Sequence, residues 1–135
     1  MITREKDYSM RLVIALADRQ RKGIVSASSS DVAEEMDIPY RFLRKLVKRL
    51  VVGGLIESRR GKGGGVALAK AAQSISLYDI MKVTGPRGVE LSLCSSDAKS
   101  CARSSVCRMQ QEFSRIQCEV DKRLKEIHVN ELVES

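Results

Sequence analysis

Between Pro39 and Ala69 the residue pattern changes period once, and that change limits the folds open to the chain more than any other feature. Leu43, Leu46, Val47 and Leu50 return at helical spacing and form one apolar stripe, with Arg41, Arg44, Lys45, Lys48 and Arg49 falling between them. Burying the stripe therefore turns the cations toward solvent. Pro39 suits the first position of this helix, where its missing N–H is unpaired in any case, and Gly53-Gly54 ends it. Two strand-like runs follow, Leu55-Ile56-Glu57-Ser58-Arg59 and Val66-Ala67-Leu68-Ala69, joined by the turn Arg60-Gly61-Lys62-Gly63-Gly64-Gly65.

Elements that could cover the stripe lie upstream. Tyr8, Leu12, Ala15 and Leu16 predict an amphipathic helix over about Arg4 to Arg19, and Gln20 to Gly23 is a polar break. The serines Ser28 to Ser30 can cap a short second helix, with Asp31 three positions after Ser28 as in a capping box and Val32, Ala33 and Met36 facing inward. Asp37-Ile38 makes the turn into the basic helix. Three helices followed by two short strands make a mainly α protein with a small β-wing, a winged helix-turn-helix whose third helix is shaped to enter a major groove. Ser76, with Asp79 at the reciprocal position and Leu77, Ile80 and Met81 after it, begins a fourth helix that Gly85-Pro86 stops.

With 135 residues there is room for one ordinary domain and a projecting element. Val106, Met109, Phe113, Ile116, Val120, Leu124 and Ile127 supply that element: spaced 3, 4, 3, 4, 4 and 3, they wind an apolar seam along one long helix. Its burial is expected against a second copy in a homodimer, packing on the first helix being the alternative. The expected organisation is a DNA-binding unit over 1–85, a cysteine-bearing loop over 86–104, and a dimerisation helix with its tail over 105–135.

Charge points the same way. The chain holds 24 Lys and Arg against 17 Asp and Glu, a net +7, and residues 1–70 hold fifteen of the bases against eight of the acids. All the excess lies in the front half, so phosphate is an expected partner, although most charge runs are only solvated faces. The charged start Met1 to Asp7 lacks a signal-peptide core, and no apolar run approaches a membrane span, so a cytoplasmic protein with no membrane partner is expected.

Cys94, Cys101 and Cys107 lie inside fourteen residues, with six and five residues between them. Zinc sites usually pair cysteines two to four residues apart, and His128 is the chain's single histidine, so zinc fits poorly. A disulfide needs an oxidising compartment. Iron-sulfur ligation suits soft thiolates, though the spacing differs from ferredoxin patterns; free thiols with no ligand role stay open. Cys118 is eleven residues beyond Cys107, about 16 Å along a continuous helix, too far to share a compact cluster within it. The glycine turn lacks Gly-x-x-x-x-Gly-Lys-Ser/Thr and fails the dinucleotide pattern, leaving close approach to DNA by Arg60 and Lys62 or a plain hairpin turn. No Cys-x-x-Cys or obvious Cys–His pairing favours an enzyme.

Asp7-Tyr8-Ser9-Met10-Arg11, the run Asp37-Ile38-Pro39-Tyr40-Arg41-Phe42-Leu43, the wing from Gly54 to Leu68, Ile75-Ser76-Leu77-Tyr78-Asp79-Ile80 and the three cysteines occur in an order that resembles the Rrf-two family of winged-helix transcription regulators across essentially the whole chain. That resemblance implies a dimer on double-stranded DNA at a pseudo-palindromic promoter site. The expected contacts are Tyr40, Arg41, Arg44, Lys45 and Lys48 on the third helix and Arg60 and Lys62 in the wing. It also implies an iron-sulfur cluster, 4Fe-4S or 2Fe-2S, on Cys94, Cys101 and Cys107. Some members carry a His ligand three residues after the third cysteine, where this chain has Gln110; others donate an acidic residue of the first helix from the opposite subunit, and Asp7 holds that position. An ordinary acid favoured by the helix dipole is the other reading of Asp7. The function expected is a regulator, in the first instance a repressor, sensing nitric oxide, redox or iron-sulfur status. A cluster-free regulator governed by a metabolite or protein partner is the alternative, and a redox or metal-handling enzyme the second.

Overall fold

The computed structural model describes residues 2–61, 64–85, 89–91, 102–103 and 106–133. In chain order they form α1 (Arg4–Arg21), α2 (Ser29–Glu35), α3 (Tyr40–Val52), β1 (Ile56–Arg59), β2 (Gly65–Leu68), α4 (Leu77–Lys82) and α5 (Arg108–Glu126), with 3-10 turns at Ala72–Ser74 and Val129–Glu131. The fold is the mainly helical winged architecture that the period change implied. Leu43, Leu46, Val47 and Leu50 are buried as the stripe requires, and they share one core with Leu12 and Leu16 of α1, Val32 of α2 and Ile56 and Val66 of the wing, apart from Leu46.

Each of the first three helices ends by the same device. After α1, Gly23 (φ +79) donates its N–H to Gln20 O, and Ile24 donates to Arg19 O. After α3, Gly54 (φ +77) donates to Val51 O and Leu55 to Leu50 O. After α2 the left-handed position falls to Asp37 (φ +54), with Asp37 N–H donating to Glu34 O and Ile38 N–H to Ala33 O. These paired bonds satisfy orphan carbonyls and drive Leu55 and Ile38 back into the core. The sharp turn between α2 and α3 follows from that closure.

Two sequence expectations need correction at helix starts. Ser28 is the N-cap of α2 but makes no side-chain cap bond; its hydroxyl pairs with Ser30 Oγ at 2.8 Å, so the reciprocal arrangement with Asp31 does not form. Pro39 is the N-cap of α3, φ −56 and ψ 129, one position before the helix rather than its first residue. The capping box of α4 forms as read: Asp79 N–H donates to Ser76 Oγ, and Ser76 N–H to Asp79 Oδ2.

The wing has one more partner than its two strands. β1 and β2 pair antiparallel, Ile56 opposite Leu68 and Arg59 opposite Gly65. Ala27 then bridges Val66 through reciprocal N–H···O bonds of 2.9 and 2.8 Å. Ala27 sits just before α2, so this bridge fastens the wing to the helix-turn-helix. At the far end, Leu77 N–H donates to Ile127 O and Val129 N–H to Ile75 O, which places Val129, fully buried, in the core. The C-terminal end of α5 is thereby stapled beside α4, reinforced by Lys125 Nζ lying 4.6 Å from the Tyr78 ring centroid.

Candidate nucleic-acid interface

The exposed face of α3 carries Tyr40, Arg41, Arg44, Lys45 and Lys48, because the stripe uses the opposite face. Among the described residues Arg41, Arg44, Lys45, Lys48 and Arg60 form no ion pair. Their charge is therefore available to an outside anion. Arg49 and Arg59 differ: Arg49 Nη1 lies 2.8 Å from Glu5 Oε2 of α1, and Arg59 Nη2 lies 3.2 Å from Glu57 Oε1. Arg49 ties the recognition helix to α1.

Between α3 and the wing runs a groove of about 650 Å³, lined by Ser29, Tyr40, Arg44, Lys48, Ser58 and Arg60 together with Val47, Val51 and Val52. Cations stand on both walls with hydroxyls between them, a lining that suits a sugar-phosphate strand running between a helix in one groove and a wing in the next. Lys62 lies outside the described residues. Two glycines of the turn have an internal purpose. A Cβ on Gly64 would meet Arg59 O at 2.5 Å, and one on Gly65 would meet Ala27 O at 2.2 Å. Gly61 (φ +95) has open space around it, so only its backbone sign calls for glycine.

Of the cysteines, Cys107 is half-buried and is the N-cap of α5, and Cys118 is exposed on the same helix. Cys94 and Cys101 lie outside the described residues. Gln110, one turn into α5, donates to Ser114 Oγ at 3.3 Å. Asp7 pairs with Arg11 one turn along α1, Oδ2 to Nη2 2.8 Å, and Arg11 Nη1 also donates to Met36 O in the helix-turn-helix. Arg11 stacks over Tyr8, which meets Phe42 of α3 edge to face at 5.3 Å between centroids.

Two buried polar side chains were not singled out from the sequence. Lys6, 7% exposed, donates to Met81 O at 3.0 Å and Thr84 Oγ1 at 3.1 Å, capping the end of α4. Burial pulls its ammonium below the ordinary lysine range, against an opposing pull from Glu90 and Glu5. Gln117 is fully buried on α5 and bonds the backbone of residues 89–91. Neither stands out in the sequence: Lys6 is one of several charges in the first turns of its helix, and Gln117 is one polar residue next to Ile116 of the seam.

A wing, a helix-turn-helix and an unneutralised basic face define a winged-helix protein built to meet DNA. Residues 2–135 match the model of the Rrf2 family, described as an iron-dependent transcriptional regulator. A transcriptional regulator named NsrR from Halalkalibacterium halodurans is 34% identical over 110 residues, covering 81% of this chain and 73% of that protein. An NsrR from Shouchella clausii is 32% identical over 110 residues, 81% of this chain and 72% of its own. Among solved structures, Staphylococcus aureus CymR is 28% identical with a TM-score of 0.72, covering 98% of both chains. The global cysteine regulator CymR of B. subtilis has a TM-score of 0.77 at 23% identity, covering 98% of this chain and 95% of its own, a likeness of fold alone. The chain belongs to the Rrf2 family of DNA-binding transcriptional regulators. Among the described residues no helix is long and apolar enough to cross a membrane.

Proposed function

We propose that the protein is a homodimeric repressor that reads a pseudo-palindromic site in double-stranded DNA and releases it when an iron-sulfur cluster is altered. The observation that carries the DNA half is the set of five cations, Arg41, Arg44, Lys45, Lys48 and Arg60, that form no ion pair among the described residues and lie on one helix-and-wing face. Tyr40, Arg41 and Lys45 are assigned to base edges, Arg44, Lys48 and Arg60 to the backbone along the groove, and Lys62, two residues after Arg60 in sequence, to the backbone as well. Pairing of subunits is assigned to α5, about 28 Å long at ~1.5 Å per residue. Its N-terminal half leaves Met109 66% and Ile116 44% exposed, an apolar ridge that a second copy would cover.

The donor set fits a cluster: three soft thiols, Cys94, Cys101 and Cys107, within fourteen residues, with Asp7 of the opposite subunit as the fourth group. Bound there, a cluster supplies a redox-active, chemically labile centre. Asp7 is already paired with Arg11, and Arg11 holds Met36 O at the end of α2. A change of partner at Asp7 therefore reaches the helix-turn-helix through one side chain. The test is anaerobic purification, or reconstitution with iron and sulfide, followed by duplex binding before and after nitric oxide. Charge-transfer absorbance that bleaches together with loss of DNA supports the reading; no iron, sulfide or colour after reconstitution overturns the cluster half.

A second reading, regulation without a cluster by a metabolite or protein partner, is favoured by Gln110 standing at the position some relatives give to a His ligand, and by the 28% identity to S. aureus CymR along nearly the whole chain. Intact regulation by Cys94→Ala would select it.

A further inference from the structure

Gln117 lies next to Ile116 of the apolar seam of α5 and is sealed from solvent. A buried amide holds its place only when its hydrogen bonds are met. Gln117 meets them with backbone outside its own helix: Nε2 donates to Val89 O at 2.5 Å, and Oε1 accepts from Leu91 N–H at 3.0 Å. Nε2 also donates to Asp121 Oδ1 at 2.8 Å, one turn along, which orients the amide. Residues 89–91 are thus paired as a strand would be, but against one side chain.

Glu90, between those two anchors, lies near enough to Lys6 for its charge to act on the ammonium. Lys6 grips the end of α4 at Met81 O and Thr84 Oγ1. Its neighbours on α1 face the recognition helix: Glu5 pairs with Arg49, and Tyr8 meets Phe42. Hydrogen bonds therefore join α5 to residues 89–91, and an ion pair and a ring contact join the first turns of α1 to α3, with the charge of Glu90 acting on Lys6 between the two sets. Cys94 follows Leu91 by three residues.

We propose that Gln117 is a positioning residue for the cysteine response: by fixing residues 89–91 between α5 and α1, it couples the thiols that follow to the recognition helix. This rests on the cluster-sensing reading above. A Gln that only stabilises the fold would lower the melting temperature without altering the difference between loaded and unloaded protein, so that difference is the quantity to measure.

The full-length chain is compared as wild type, Gln117→Met and Asp121→Ala, each free of metal and each reconstituted anaerobically with iron and sulfide. Gln117→Met keeps the side chain's length and removes its bonds; Asp121→Ala leaves both backbone bonds and frees the amide's orientation. Exchange of the Leu91 amide in the metal-free protein should quicken by about tenfold or more in Gln117→Met and by less in Asp121→Ala. The ratio of duplex affinities between reconstituted and metal-free protein should be at least about tenfold in wild type, fall to within about twofold in Gln117→Met, and take an intermediate value in Asp121→Ala. Metal-free affinity should stay within about threefold of wild type in both variants. A wild-type ratio retained by Gln117→Met, or unchanged Leu91 exchange, overturns the coupling while leaving cluster sensing intact. A ratio of one in wild type itself overturns the sensing reading and the coupling with it.

Discussion

Replacing Gly65 by Ala puts a methyl carbon 2.2 Å from Ala27 O and 2.7 Å from Ala27 C. Both are backbone atoms, so no side chain can swing aside. Reaching ordinary contact, roughly 3.5 Å, requires moving the strand by about 1 Å. That movement breaks the reciprocal bonds between Ala27 and Val66, now 2.9 and 2.8 Å. Each contributes about 1 kcal/mol net, and a non-glycine residue at φ +143 costs about 1–3 kcal/mol more. The expected loss is about 3–5 kcal/mol, a large share of the ~5–15 kcal/mol by which domains are stable. Urea unfolding followed by circular dichroism measures it, with Gly61→Ala as the control. Gly61 (φ +95) has nothing within 4 Å of its missing Cβ, so only the backbone cost of about 1–2 kcal/mol applies there. Equal losses at the two glycines would refute the argument that the wing is seated on Ala27.

In anisotropy titrations, Arg60→Ala should weaken duplex binding and reduce the slope of log affinity against log salt by about 0.9 per protomer, whereas Arg59→Ala, whose charge Glu57 partly answers, should change it less; equal effects would count against the wing assignment. Ser9 Oγ is buried with no hydrogen-bond partner among the described residues, so Ser9→Ala should leave stability unchanged or raise it by up to about 1 kcal/mol in thermal melts. Burial lowers the Lys6 ammonium from the ordinary 10.5, so between the lowered value and 10.5 the unfolded chain binds more protons and stability rises with pH. Lys6→Met should flatten that alkaline rise, and a variant that keeps it would contradict the assignment.

The recognition helix was legible because burial of its stripe follows from one period, and no tertiary contact competes with it. Ser76 and Asp79 were legible for a similar reason: a capping box closes within four residues. Ser28 and Asp31 carry the same spacing, yet Ser28 Oγ is taken by Ser30, a local competitor that spacing does not reveal. The Ala27 bridge and the pairing of residues 127–129 with 75–77 were illegible because each joins segments far apart in sequence by backbone alone. Side-chain pattern says nothing of such bonds. The glycine run leaves approach to DNA and a plain hairpin turn equally open in the sequence, and at Gly64 and Gly65 the close neighbour is the protein's own backbone. Gln117 was illegible because its partners are carbonyl and amide groups of Val89 and Leu91.

The face formed by α3 and the wing is tested most directly by titrating a duplex of roughly 30 base pairs at salt from about 50 to 300 mM. Wild type is set against a variant lacking Arg44, Lys48 and Arg60. Affinity of the wild type should fall steeply and linearly on logarithmic axes, and the variant should lose about 2.7 from that slope for each protomer bound. A wild-type affinity indifferent to salt, or a variant with the wild-type slope, would contradict the account.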